Sequence, residues 1–149
     1  MKIRASSQLM AAVAFFALAD AVPAAHLHTP FRFDGTWHVS KIVGYSEVST
    51  NPEELRQLIG KKIVIGPGQL QVGDDACVSD AMHSATRATA PLLLDAYHAG
   101  PTDAGVATHT EVLDAGRCGY VFRAGTNIVV YQGGAFYRAV RDKPAHKHQ

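Results

Sequence analysis

The C-terminal third of the chain is cut into short pieces by turns, and this limits the folds available to it. Strand-like runs cover Val106 to Leu113, Arg117 to Arg123, Ile128 to Gln132 and Ala135 to Arg141. They are separated by Asp114-Ala115-Gly116, Ala124-Gly125-Thr126-Asn127 and Gly133-Gly134. Connections this short join antiparallel neighbours and leave no length for a helical crossover, so the region reads as a β-meander. The same signals recur upstream. Lys61 to Ile65 and Leu70 to Val72 flank Gly66-Pro67-Gly68 as a hairpin, and Gly73-Asp74-Asp75 turns the chain again toward Cys77.

The stretch Phe33 to Val43 carries the single tryptophan. After the turn-forming Asp34-Gly35 it has period two, with Trp37, Val39 and Val43 on one face, Lys41 intruding among them, and Thr36, His38, Ser40 and Ile42 on the other. That pattern fits a half-buried strand. We expect this first strand to pair with the last one near Arg141, so that a small antiparallel barrel closes without free margins. His38 reads as a rim or solvent residue.

One short amphipathic helix is expected after it. Asn51 suits an N-cap and Pro52 the first helical position. Glu53 and Glu54 face the positive helix end, Leu55, Leu58 and Ile59 recur at helical spacing, and Gly60 ends the segment. Helix-start electrostatics accounts for the paired glutamates without catalysis. The helix should plug or cover one barrel end. Ser79 to Pro101 does not settle between helix and strand. Pro91 to His98 reads either as a short helix or as an apolar loop, and Leu92 to Tyr97 would form a lid if it lay over the barrel mouth.

The N-terminus has the pattern of a cleaved export signal over residues 1–24. Met1-Lys2-Ile3-Arg4 is a basic head, Leu9 to Leu18 is mostly apolar, and Ala19 to Ala25 is rich in small residues. The apolar run is too short to span a bilayer, which takes about 20 residues, and Asp20 interrupts it. Cleavage after Ala24 leaves 149 − 24 = 125 residues, one domain's worth. We expect a flexible lead-in at 25–32, a barrel domain at 33–141 and a disordered polar tail at 142–149. A formal charge of +1 argues against nucleic acid or an acidic membrane surface as partner, and no second long apolar run suggests a membrane span.

An exported chain meets an oxidising compartment, periplasmic or extracellular, where two cysteines usually bridge. Cys77 and Cys118 are 118 − 77 = 41 positions apart. Closing such a loop is worth roughly 4 kcal/mol in the chain-entropy model. The bridge would tie the middle segment to a meander strand on which Cys118, Tyr120 and Phe122 share a face.

Catalytic chemistry finds little footing. There is no G-x-S-x-G, no glycine-rich phosphate loop before a helix and no H-E-x-x-H. A disulfide would consume the only thiol nucleophiles near which His83, His98 or His109 could act. We expect no catalytic residues, no metal and no cofactor. Eight histidines include His26, His28, His146 and His148 near the ends. Cleavage after Ala25 would leave His26-Leu27-His28 as an amino-terminal copper or nickel chelator, but solvated tails are the simpler reading.

The triplet Gly35-Thr36-Trp37 at the head of the first strand resembles the G-x-W signature of lipocalins and related calycin barrels. Gly60-Lys61 after a short helix, and a last strand ending in Arg, fit the same pattern. Thr102-Asp103 is followed by Ala104, where the family's second motif has tyrosine. The resemblance implies that Trp37 packs across the closed barrel end, with Arg141, or failing that Arg138, over its ring. It also implies a binding protein for a small apolar or amphiphilic ligand, for which Trp37, Leu92, Tyr97, Tyr120, Phe122 and Tyr131 are candidate contacts. The competing expectation is a protein-binding inhibitor or immunity-type factor acting on an exported hydrolase, using the Gly44–Asn51 or Gly100–Gly105 loops. An open apolar interior would favour the first, a filled one the second.

Overall fold

The computed structural model describes residues 31–143; the expected export signal, the terminal histidines and the tail from 144 onward lie outside the described residues. The chain forms β1 (Gly35–Tyr45), α1 (Pro52–Arg56), β2 (Lys62–Gly66), β3 (Gln69–Val72), β4 (Asp75–Val78) and β5 (His83–Ala88). It continues with α2 (Thr89–Tyr97), α3 (Pro101–Ala104), β6 (His109–Asp114), a 3-10 turn (Gly116–Cys118), β7 (Tyr120–Ala124), β8 (Asn127–Gln132) and β9 (Ala135–Arg141). The strands make one antiparallel sheet in the order β4-β3-β2-β1-β9-β8-β7-β6-β5, curled into a half-barrel.

The first and last strands do pair, with Trp37 opposite Arg141 and Ile42 opposite Tyr137. The expected closure is corrected, however. That pair lies at the centre of the sheet, and its free margins are β4 and β5, which follow one another in sequence without pairing. The two-faced reading of β1 also changes. Register shifts between Val39 and Lys41, and between Ile42 and Gly44, mark bulges. Each bulge inserts one unpaired residue and reverses the side-chain alternation beyond it. Ile42 therefore packs inward and Val43 outward, and Lys41 leaves the buried face it had seemed to interrupt.

Alternation along β6 to β9 builds two cores. The inner one fills the curl with Trp37, Val39, Ile63, Val121, Ile128, Val130, Tyr137 and their neighbours. Leu55 of α1 is buried there, and the Tyr137 hydroxyl donates to its carbonyl at 2.8 Å, which fixes the helix against one end of the curl. Asn51 caps that helix by accepting from the Glu53 amide at 3.0 Å. The outer core lies between the convex face of β6–β9 and two helices, and contains Leu92, Leu93, Ala104, Val112, Phe122, Val129 and Phe136.

The segment 79–101, unassignable from pattern, supplies an edge strand and α2. The strand β5 lacks an apolar face because it is exposed except at Arg87. The helix starts at Thr89, two residues ahead of Pro91. Proline is tolerated there because the first helical turn needs no intrahelical N–H bond. Of the two readings of Pro91 to His98 the helical one is realised, and among the described residues α3 adds a further short helix to α1 and α2. Cys118 also departs from expectation: it sits in the 3-10 turn, packed toward the inner core, whereas Tyr120 and Phe122 face outward on β7.

At the N-terminal end Phe31 is already ordered against the sheet. Its amide donates to Glu111 at 2.7 Å, its ring lies 6.1 Å from Trp37, and the Arg123 guanidinium sits 4.8 Å from its centre. At the other end the Asp142 amide donates to the Thr36 carbonyl at 3.0 Å, and its carboxylate contacts the His38 ring.

Candidate functional site

Trp37 is fully buried, donates its indole N–H to the Phe33 carbonyl at 2.9 Å and lies 4.0 Å below the Arg141 guanidinium. Arg141, rather than Arg138, occupies that position. It is held by the Asp34 carbonyl at 2.6 Å and by the Arg32 carbonyl. Gly35, at φ 127°, gives it room, since a Cβ there would sit 2.8 Å from the guanidinium. An indole face under a cation is worth about 0.5–2 kcal/mol.

The other candidate contacts are not gathered inside the curl with Trp37. Leu92, Tyr97, Tyr120, Phe122 and Tyr131 all belong to the outer helix-covered layer. Leu92 to Tyr97 is a helix packed on the convex face, and the proposed lid over a barrel mouth is thereby corrected. The reason lies in β7 to β9, whose near-continuous apolar runs are buried on both faces. The tyrosines are tied to structure. Tyr97 stacks on Tyr131 with ring centres 4.2 Å apart, and its hydroxyl accepts the Tyr120 amide at 2.9 Å. Burial pushes the Tyr97 hydroxyl up to about 12. Burial likewise raises Tyr137 above the ordinary tyrosine range.

Of the recesses on the surface, two involve the candidate residues or loops. One, of about 250 Å³, lies beside the Cys77–Cys118 bridge, lined by Leu70, Val72, Val130, Tyr131 and Gln132. It falls below the usual ligand-pocket range of about 300–1,000 Å³. The other is an open groove of about 530 Å³ on the outer surface, lined by Tyr45, Ser46, Glu47, Leu94, His98 and Asp103. It unites the two loops that the sequence marks separately.

That groove is built around Gly44. A Cβ there would sit 1.7 Å from the Asp103 carbonyl oxygen, so only glycine lets α3 settle on the end of β1. Ser46 anchors the strand exit, with its amide donating to the Gly134 carbonyl at 2.9 Å and its hydroxyl 3.1 Å from that of Tyr131. The Asp103 carboxylate accepts the Gly100 amide at 2.8 Å and holds the opposite wall. His98 terminates α2 in the left-handed region, φ 51° and ψ 45°, where glycine is usual. The strain costs roughly 1–2 kcal/mol. At the rim Tyr45 and Leu94 are 47% and 61% exposed. Such a surface can bind by shape and apolar contact, and the Ser46 hydroxyl on its wall is engaged by the Tyr131 hydroxyl and the Gly134 carbonyl. Among the described residues no group of three His, Cys, Asp or Glu is placed to hold a metal ion.

Sequence reasoning marked the Gly44–Asn51 loop and the Leu92–Tyr97 segment, which hold Tyr45 and Leu94, but singled out neither residue as a rim contact. Only Gly44, a glycine closing a long strand, signalled that another segment approaches there. No family model, curated protein or solved structure matches the chain.

Proposed function

We propose that the protein is an exported, non-enzymatic binding module of calycin-like build that grips a protein partner in its outer groove. The single observation carrying this reading is the filled interior. Trp37, Tyr137, Ile63 and Ile128 occupy the space a carrier would give to its ligand, each with no exposed surface. The groove supplies what the interior lacks: exposed aromatic and aliphatic side chains in a concave wall, with Glu47 and Asp103 as fixed charges. That chemistry suits a loop with an apolar tip and a basic neighbour, as an exported hydrolase could present to an inhibitor. The Cys77–Cys118 bridge supports an oxidising compartment, and no helix among the described residues is long and apolar enough to cross a membrane.

The test is native mass spectrometry of the protein purified from its own host, combined with hydrogen exchange. A second, larger polypeptide should co-purify, protect residues 45–47 and 94–103 from exchange, and be lost in Leu94→Arg. Leu94 is exposed, so that variant should fold. A small lipid-sized adduct that survives Leu94→Arg would overturn the reading in favour of a carrier using the recess beside the disulfide.

A further inference from the structure

The two free margins of the sheet differ in how they are protected. The four-residue β4 is tied down: Cys77 bonds Cys118, Arg117 donates to the Val78 carbonyl at 2.7 Å, and Gln132 donates to Asp75 at 3.0 Å. The six-residue β5 has fewer of the devices that blunt an edge. It has no proline, lysine or bulge, and its one strongly charged side chain is Arg87; Asp34 and the turn at 66–68 share a recess with His83 and Ser84 at its start. Both its faces are exposed apart from Arg87, which pairs with Asp114 at 3.4 Å. Exposed edges of this kind are templates for a further strand.

We propose that β5 pairs with β5 of a second copy of this chain about a two-fold axis through Thr86. The hydrogen-bond parity dictates the register. The Thr89 amide donates to the Thr108 carbonyl at 2.9 Å. Antiparallel ladders alternate, so Arg87, Ala85 and His83 direct their backbone groups to β6, while Ser84 and Thr86 direct theirs outward; Ala88 caps α2, so its carbonyl accepts within the helix and only its amide points outward. Two such edges bond only through outward residues. The register that uses these groups sets Thr86 opposite Thr86, and Ser84 opposite Ala88 through the Ala88 amide alone, with Ala85 opposite Arg87 between them. No like charges face each other, and a Thr–Thr pair at the axis is favourable. A foreign strand would need side-chain pockets for its selection. The small side chains Ser84, Ala85, Thr86 and Ala88 offer none, whereas a second copy brings a matching edge by symmetry. A single pair of short strands covers less area than a standard interface, so the association belongs to the weak, transient class.

Sedimentation velocity of the mature chain across the micromolar to millimolar range tests this. The wild type should pass from monomer to a species of doubled mass. Thr86→Pro removes an outward N–H only, so it should keep the far-UV spectrum and stay monomeric. Thr86→Cys should cross-link to dimer under mild oxidation, because directly bonded antiparallel partners lie about 5.5 Å apart, within disulfide reach. Ser84→Cys, facing Ala88, should cross-link far less. A wild-type monomer throughout, a dimer that survives Thr86→Pro, or equal cross-linking at both positions would overturn the proposal. So would a monomer with protected amides at 84, 86 and 88, which would assign the edge to another segment of the same chain. None of these outcomes involves the Tyr45–Leu94 groove.

Discussion

The concave and convex faces of β6–β9 are both buried, yet they are packed on different terms. On the concave side aliphatic residues meet Trp37 and Tyr137, whose indole N–H and hydroxyl donate to the Phe33 and Leu55 carbonyls. On the convex side a layer of tyrosine and phenylalanine lies under two short helices, with hydroxyls bonded to the Tyr120 amide and to Ser46. The first arrangement fills the space inside the curl. The second leaves a groove at its margin and depends on a few close approaches, above all at Gly44. A strand system apolar on both faces must be covered twice, and the second cover is where this protein exposes a shaped surface.

Trp37→Ala should separate the two faces most sharply. Emptying so large a buried site costs about 3–5 kcal/mol, whereas Tyr131→Ala, half-buried, should cost less than half of that in denaturant unfolding. Equal costs would break the contrast. Next, replacing Cys77 and Cys118 by alanine should remove roughly 3–4 kcal/mol. Hydrogen exchange should then rise in β3 and β4 while α2 and β7–β9 stay protected; uniform loss would mean that the faces unfold as one.

Gly44→Ala acts on the outer layer alone, because its Cβ would collide with α3. Overpacking of this kind costs about 1–3 kcal/mol. The fluorescence of Trp37, the sole tryptophan, should stay unchanged while exchange increases at 100–105.

The smallest effect is on pH dependence. Tyr97 has a folded pKa raised by burial to about 12, above its unfolded value near 10. The unfolded chain therefore loses its proton first. The contribution is complete below pH 10 and is lost as pH rises toward 12, by at most about 3 kcal/mol. Tyr97→Phe should flatten that slope between pH 10 and 12, leaving the part due to Tyr137. An unchanged slope would place the titration in the inner core.

Much of the architecture was legible in local pattern. Glycine-centred turns and period-two runs marked β2, β3, β8 and β9 close to their observed bounds, and Asn51-Pro52 marked the start of α1. The site was far less legible. Tyr120, Phe122 and Tyr131 are apolar-face residues by pattern, but a strand with apolar residues on both sides does not say which side is concave. At β5 the pattern was mute, because a strand exposed on both faces carries no alternation of hydrophobicity.

What the amino-acid order determined by itself was a mainly β chain of short antiparallel strands with one disulfide loop, since turn residues and side-chain parity act over a few positions. Only the tertiary structure decided the rest: the bulges that turn Ile42 inward and Val43 outward, the seating of α2 and α3 on the convex face, and the two unpaired margins. Those outcomes rest on contacts between segments distant in sequence, such as α3 with Gly44, which no local pattern encodes.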